Sequence, residues 1–286
     1  MSASPPDQSA LGIIAGGGPL PSVVAEAAVA KGRPVFIVGI EGWSDATIEA
    51  FPHAWVRYGA LGRTIDLLKQ ARCRDLVMIG PLDRPTLFNF RPDMTILRSL
   101  IRVLGLLRRG DDGLLSGTVR YFEETHGFHI RPAEEVAAEL VAPAGLLTNT
   151  EPSLADETDI QMAVEIVRER GERDLGQGAV VANGQILDVE DNAGTDEMLR
   201  RVARLPERPD RTGVLVKLPK PGQERRVDLP TLGLTTVENA AAAGLAGIAY
   251  EASGALIANV DAVGKYADEL GLFVTGLPAG TGEGNA

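Results

Sequence analysis

The apolar positions of this chain fall into short runs separated by amphipathic stretches. Residues 11–15 (LGIIA) are apolar throughout and lead into Gly16-Gly17-Gly18-Pro19-Leu20-Pro21, after which residues 22–31 carry a helical pattern closed by Gly32. A second run spans 34–40 (PVFIVGI), a helix is predicted over 61–71, and a third run spans 75–80 (DLVMIG). Strands apolar on both faces, each followed by a helix, predict a parallel sheet covered on both sides. After Gly80-Pro81 an irregular stretch runs to Pro92, and helices are predicted over 93–109 and 111–125.

Periodicity is lost over 141–152, where Pro, Gly, Asn and Thr collect, so a linker is predicted there. Beyond it the pattern predicts a helix over 156–170, two strands around the hairpin signal Asn183-Gly184, and a helix over 194–204. Strands over 213–217, 247–251 and 272–274 then alternate with helices over 236–243 and 260–269. The fold class expected is therefore α/β in two α/β domains: a Rossmann-like, doubly wound domain over 1–140, a linker over 141–152, and a second domain over 153–278. The acidic, glycine-rich residues 279–286 are expected to be a disordered tail.

Composition narrows the function. With 44% hydrophobic and 23% charged residues in 286, the chain is an ordinary globular protein. Its 28 basic and 39 acidic residues leave a net charge of −11, and only 5% of it is aromatic, which argues against nucleic acid as a partner. The single cysteine, Cys73, forms no internal disulfide, and an inert thiol is the preferred reading although Arg72 and Arg74 flank it. No apolar run reaches the ~18 residues of a membrane-crossing helix. The first ten residues lack the basic and apolar regions of a secretion signal, so a cytoplasmic location is expected.

Candidate chemistry sits at the strand ends. Three successive glycines after a strand let backbone N–H groups approach a phosphate, and a following helix adds positive potential, although neither G-x-G-x-x-G nor a P-loop is present. Residues 76–85 (LVMIGPLDRP) place Gly80, Pro81 and Arg84 after a strand that would neighbour the first, with Arg84 a fork for phosphate or a plain surface ion pair. The helix over 94–109 is apolar with an edge of Arg98, Arg102 and Arg109, fit for deep packing or for an anionic amphiphile. Asp111 and Asp112 are helix-start acids or Mg²⁺ ligands.

In the second half, residues 189–198 (VEDNAGTDEM) offer Thr195 as an N-cap and Asp196 beside an anion cradle. Residues 217–233 (KLPKPGQERRVDLPTLG) gather Lys217, Lys220, Arg225 and Arg226 with Gln223 and Asp228. Cations with one embedded carboxylate suit phosphoryl chemistry; a solvated loop is the alternative. His126 and His129 lack a third ligand in sequence, and no nucleophile signature appears.

Taken in order, LGIIAGGGPLP, GPLDRP, GDDGLL, EDNAGTD and KPGQERRVDLPTLGLTT resemble the UDP-2,3-diacylglucosamine pyrophosphatase family of the two-domain type unrelated to metallophosphoesterases, across residues 11–275. The resemblance implies Mg²⁺-dependent hydrolysis of UDP-2,3-diacylglucosamine to UMP and 2,3-diacylglucosamine 1-phosphate (lipid X) in lipid A biosynthesis. It implies two α/β domains with the lipid in a cleft between them, catalysis by the second domain, and transient contact with the inner membrane surface; a homodimer is left open. It further implies Asp228 and Asp196 as catalytic residues, and Gly17, Gly18, Gly80, Pro81, Thr195 and Lys217 as lining the phosphate and sugar. With the readings of the residues themselves, Arg84, Gln223 and Arg225 join the expected substrate-binding set, and Asp228, Asp196 and Asp111 are the expected metal ligands. Ala193 departs from the family pattern, which has an acid there, with Glu190 or Asp191 as the compensating carboxylate, and Glu224 stands where the family has Asp. Two rivals are a non-enzymatic lipid or nucleotide carrier and a nicotinamide-dependent oxidoreductase; the second is disfavoured because G-x-G-x-x-G with an acid ending the second strand is lacking.

Overall fold

The computed structural model describes residues 9–82, 110–206, 208 and 210–281. Arg84 and the arginine-edged helix expected over 94–109 lie outside them. The chain forms two compact units, Met1–Ala138 with Glu224–Asp228, and Glu139–Gln223 with Leu229–Ala286.

The first unit carries a parallel sheet of β1 (Leu11–Ala15), β2 (Val35–Ile40), β3 (His53–Val56), β4 (Asp75–Ile79) and β5 (His129–Ile130) in the order β3-β2-β1-β4-β5. Helices α1 (Leu20–Ala30), α2 (Leu61–Gln70) and α3 (Gly110–Arg120) belong to it, with a single turn α4 (Ala133–Val136). The chain winds outward from β1 through β2 to β3, then restarts on the other side at β4. That reversal between β1 and β4 is the place where open α/β sheets bind ligands. Strand β3 escaped the apolar pattern because it is a four-residue edge strand whose first three positions are only half-buried. Helix α3 passes into a π-helical turn over Tyr121–Thr125, within what the sequence predicts as one helix. Cys73 lies in the core, where burial pushes its thiol up to about 11 and holds it protonated despite Arg33.

At the amino end of β4, Asp75 accepts hydrogen bonds from Arg33 (2.7 Å) and Arg131 (3.2 Å). Burial alone would raise its carboxyl, but the two guanidinium groups prevail and hold it below the ordinary aspartate value. A lowered carboxylate contributes stability that is present above the unfolded-state value and lost as pH falls through the folded one. Asp75→Asn should therefore cost about 1–2 kcal/mol in urea unfolding at neutral pH. The gap to the parent protein should shrink below about pH 4, and a pH-independent gap would deny the ion pairs this role. Asp75 lies at the opposite end of β4 from Gly80, so activity should be unaffected.

The second unit carries a six-stranded sheet of β6 (Gly145–Leu146), β7 (Gly178–Ala182), β8 (Gln185–Val189), β9 (Val214–Lys217), β11 (Gly247–Glu251) and β13 (Phe273–Leu277), ordered β6-β13-β11-β9-β7-β8. Strands β13, β11 and β9 are mutually parallel, whereas β7 runs antiparallel to β9, β8 to β7, and β6 to β13. Strands β10 (Thr231–Leu232) and β12 (Leu256–Ile257) make a separate parallel pair. Alternating residues along the central strands feed two cores. Leu215, Ile248 and Val274 pack with Met198, Val237 and Val263 from α6 (Gly194–Ala203), α7 (Leu234–Ala242) and α8 (Val260–Leu270). Val216, Ala249 and Phe273 pack with Ala163 and Val167 of α5 (Leu154–Gly171).

The hairpin turns where Asn183-Gly184 predicts it, with both residues at positive φ (51° and 71°). Buried Asp159 fixes that turn by accepting from both of its backbone N–H groups, at 2.8 and 2.7 Å. The stretch expected to be a linker, 141–152, is instead tied into this unit: Gly145 and Leu146 form β6, and the Thr148 hydroxyl accepts from the Val274 N–H at 3.1 Å. Two-residue strands held by backbone bonds leave no hydrophobic period to read.

Candidate active site

In the first unit, the turns after β1 and β4 interlock at the switch point. The Gly16 N–H donates to Ile79 O at 2.8 Å and the Gly17 N–H to Pro81 O at 2.9 Å. A Cβ on Gly16 would stand 2.2 Å from Gly80 O, and Gly80 itself has φ +98°, so only glycine permits this approach at both positions. The structure thus brings Gly17, Gly18, Gly80 and Pro81 together, as the sequence predicts for neighbouring strands. It also corrects their roles: the N–H groups of Gly16 and Gly17 are bound within the loop. Gly18 (φ +78°) follows, and α1 starts two residues later at Leu20-Pro21.

In the second unit, the carboxyl end of β9 places Lys217 in the interior, 5% exposed, in register with Gly178 and Tyr250. Its Nζ donates to Thr231 O at 2.9 Å. Burial pushes the ammonium below the ordinary lysine value, while the charges of Glu190 and Asp196 act to restore it. Glu190, 6% exposed, accepts from the Thr195 hydroxyl at 2.6 Å. A Cβ on Gly178 would lie 2.7 Å from its Oε2, so the strand is kept bare there to admit the carboxylate. The Asp196 Oδ1 accepts from Asn239 Nδ2, on α7, at 3.0 Å. One buried cation among two buried or half-buried carboxylates, at the carboxyl end of β9 in a mixed sheet, is a pre-ordered charge arrangement of the kind phosphoryl-transfer sites use.

Two expectations for this loop change. Thr195 is not the N-cap: α6 starts at Gly194 after Ala193, with no side-chain cap, and the Thr195 hydroxyl serves Glu190 instead. Of the two acids that could compensate for Ala193, Glu190 turns inward, whereas Asp191 is exposed, accepts from the Ala193 N–H at 2.9 Å and pairs with Arg201 at 3.3 Å.

The loop after β9 is less uniformly cationic than its sequence. Lys220 pairs with Asp174 at 2.6 Å. Arg226 grips Glu224 through two bonds of 2.9 and 2.8 Å and reaches Glu123 at 2.9 Å, its guanidinium held in the charged form by these carboxylates. Together with Val227, partly buried against the first unit's core, these bonds anchor Glu224–Asp228 to the first unit. Asp228 closes the turn, half-buried, its N–H donating to Glu224 O at 3.1 Å. Gln223 is 6% exposed; its Oε1 accepts from the Lys220 N–H at 2.7 Å, and among the described residues its Nε2 has no partner.

The candidate residues are therefore divided. Gly17, Gly18, Gly80, Pro81, Arg225 and Asp228 belong to the first unit, and Thr195, Asp196, Lys217 and Gln223 to the second. Asp111 lies within α3. Among the described residues no three or more His, Cys, Asp or Glu side chains gather as a metal cluster. Sequence reasoning missed Asn239 and the Thr231 carbonyl, and held Glu190 only as an alternative. The small-residue pattern of α7 hides an amide whose relevance depends on a contact 43 positions away.

A doubly wound sheet with glycine turns at its switch point, joined to a second α/β unit with a buried lysine–carboxylate cluster, defines a two-domain α/β protein. The LpxI N-terminal domain family matches residues 10–140 and the LpxI C-terminal domain family matches residues 143–275. The chain belongs to the LpxI family. It is 42% identical over 272 residues, 93% of this chain and 97% of the relative, to the UDP-2,3-diacylglucosamine pyrophosphatase LpxI of Caulobacter vibrioides.

Proposed function

We propose that this protein hydrolyses the diphosphate of UDP-2,3-diacylglucosamine, giving UMP and 2,3-diacylglucosamine 1-phosphate in lipid A biosynthesis. The observation that carries this reading is the 42% identity to the Caulobacter pyrophosphatase over nearly the full length of both chains. The buried Lys217 cluster supports it, because a diphosphate needs a fixed cation and the cluster holds one away from water.

In this reading Asp228 positions a water and takes its proton as the oxygen attacks the phosphorus on the sugar side. The bond from that phosphorus to the bridging oxygen breaks, and UMP leaves. Lys217 neutralises the phosphate oxygens, the charges of Glu190 and Asp196 favour its ammonium form against the effect of burial, and Asn239 hydrogen-bonds Asp196. The backbone N–H groups of Gly18 and Leu20 receive a phosphate, Pro19 and Pro21 having none to give. Gln223 and Arg225 are further donors for it, and Arg84 remains a donor proposed on sequence alone.

A cation here would rest on one or two carboxylates, Asp196 and Asp228 with Asp111 the third candidate, an oxygen donor set that Mg²⁺ accepts when substrate phosphates and water complete its shell. Bound there, Mg²⁺ would add positive charge where the transition state accumulates negative charge. The apolar residues 94–109 with their arginine edge are the candidate for the acyl chains and for contact with a membrane surface. None of the described helices is long and apolar enough to cross a membrane.

Mixing the purified protein with UDP-2,3-diacylglucosamine and Mg²⁺ should release UMP and the lipid monophosphate catalytically. A carrier would retain the lipid and release nothing, and that result would sink the assignment.

A further inference from the structure

The carboxyl ends of β2 and β3 hold an arrangement that the catalytic reading does not use. Directly after β2 come Glu41, Gly42 (φ +80°) and Trp43, and directly after β3 come Arg57 and Tyr58. The Glu41 N–H donates to Val56 O at 2.9 Å, which locks the two strand ends side by side. The turn is then pinned to β1: the Ser44 hydroxyl accepts from the Ile40 N–H and donates to Ala15 O, each at 2.7 Å. Trp43 lies against the glycine loop itself, its carbonyl oxygen 3.0 Å from where a Gly17 Cβ would stand. The Trp43 and Tyr58 rings meet at 6.1 Å and 57°, and both residues are half-buried.

This pairing of aromatic rings is distinctive in a chain with two tryptophans and four tyrosines. A tilted aromatic pair with part of its surface open is a stacking platform for a nucleobase, tolerant of which base it meets. Glu41 is an acid directly after the second strand, so of the two features counted together as lacking in the sequence only G-x-G-x-x-G is absent, and it stands where doubly wound sheets bind ribose hydroxyls. Gly18 and the amino end of α1, on the neighbouring strand, suit the phosphate. An aromatic pair, an acid and a glycine turn thus share the carboxyl ends of the neighbouring strands β3, β2 and β1, the three kinds of group that a nucleoside monophosphate calls for.

We propose that the first unit binds the uridine monophosphate half of the substrate, with uracil stacked on the Trp43–Tyr58 pair and the ribose hydroxyls donating to Glu41. This rests on the pyrophosphatase reading for the identity of the nucleotide, and its test is separable from that reading.

The probe is UMP on the full-length protein. In Trp55→Phe, where Trp43 is the sole tryptophan, UMP and uridine should quench emission while inorganic phosphate does not. Trp43→Leu and Tyr58→Ala should weaken UMP binding, measured by calorimetry, by about 5- to 150-fold, the span of base–aromatic stacking. Glu41→Gln should weaken UMP but not its 2′,3′-dideoxy analogue. In substrate turnover these changes should raise KM more than they lower kcat. If UMP leaves Trp43 emission unchanged, or if Glu41→Gln treats UMP and the dideoxy analogue alike, the subsite is elsewhere. The emission and Glu41 readouts decide the matter even if Trp43→Leu fails to fold. Failure of the parent protein to hydrolyse substrate would overturn the pyrophosphatase reading instead. Unchanged KM and UMP affinity in folded Trp43→Leu, with hydrolysis intact, would overturn only this proposal.

Discussion

Asp228→Ala is expected to lower kcat for UDP-2,3-diacylglucosamine by about 10²–10⁴-fold, the contribution of a positioned general base, while substrate binding is retained. The residue closes a turn whose shape is set by other groups. Arg226 ties Glu224 to Glu123, and Val227 is partly buried against the core of the first unit. Removing the Asp228 carboxylate leaves those contacts standing, and thermal melting of the variant beside the parent separates a loss of chemistry from a loss of fold. Asp228→Asn, which keeps the volume without the base, should be impaired to a similar degree. A variant that turns over at the parent rate under saturating Mg²⁺ would remove Asp228 from the mechanism.

Lys217→Met should act on both activity and stability. Losing the fixed cation should reduce kcat/KM by about 10²–10³-fold, the scale of one pre-ordered electrostatic group. It also leaves Glu190 buried with its charge uncompensated, and breaking a buried charge arrangement from one side costs on the order of 3 kcal/mol. The pH dependence separates the lysine from a simple packing defect. Burial lowers the folded-state value of Lys217, so between that value and the ordinary 10.5 the unfolded chain binds more protons than the folded one. Stability from this group therefore rises with pH across that window. Urea unfolding should show this rise in the parent and its absence in Lys217→Met; identical slopes would mean that the folded lysine is not perturbed.

The alternation of apolar runs and helices was enough to expect two α/β units and most of their strands, because strands covered on both faces carry the strongest signal. What escaped was short or held by backbone bonds: β3 at an edge, and β6 in the stretch that resembles a linker. Glycine spacing correctly brought Gly16–Gly18 to Gly80-Pro81, since strand order alone fixes that meeting. It did not reveal that the first two N–H groups of the loop serve the loop itself.

The cationic reading of 217–233 picks out Lys217 as a candidate but cannot tell which cations are paired, because Asp174 and Glu123 are remote in sequence. The turn Glu224–Asp228 is the clearest case. Its sequence position lies inside the second domain, yet its side chains pack with the first unit.

The central claim is tested most directly by hydrolysis of UDP-2,3-diacylglucosamine in ¹⁸O-labelled water, with both products analysed by mass spectrometry. The account predicts catalytic turnover with one labelled oxygen in 2,3-diacylglucosamine 1-phosphate and none in UMP. Substrate recovered intact from a protein that binds it would contradict the assignment as an enzyme, and label in UMP would contradict attack at the sugar-side phosphorus.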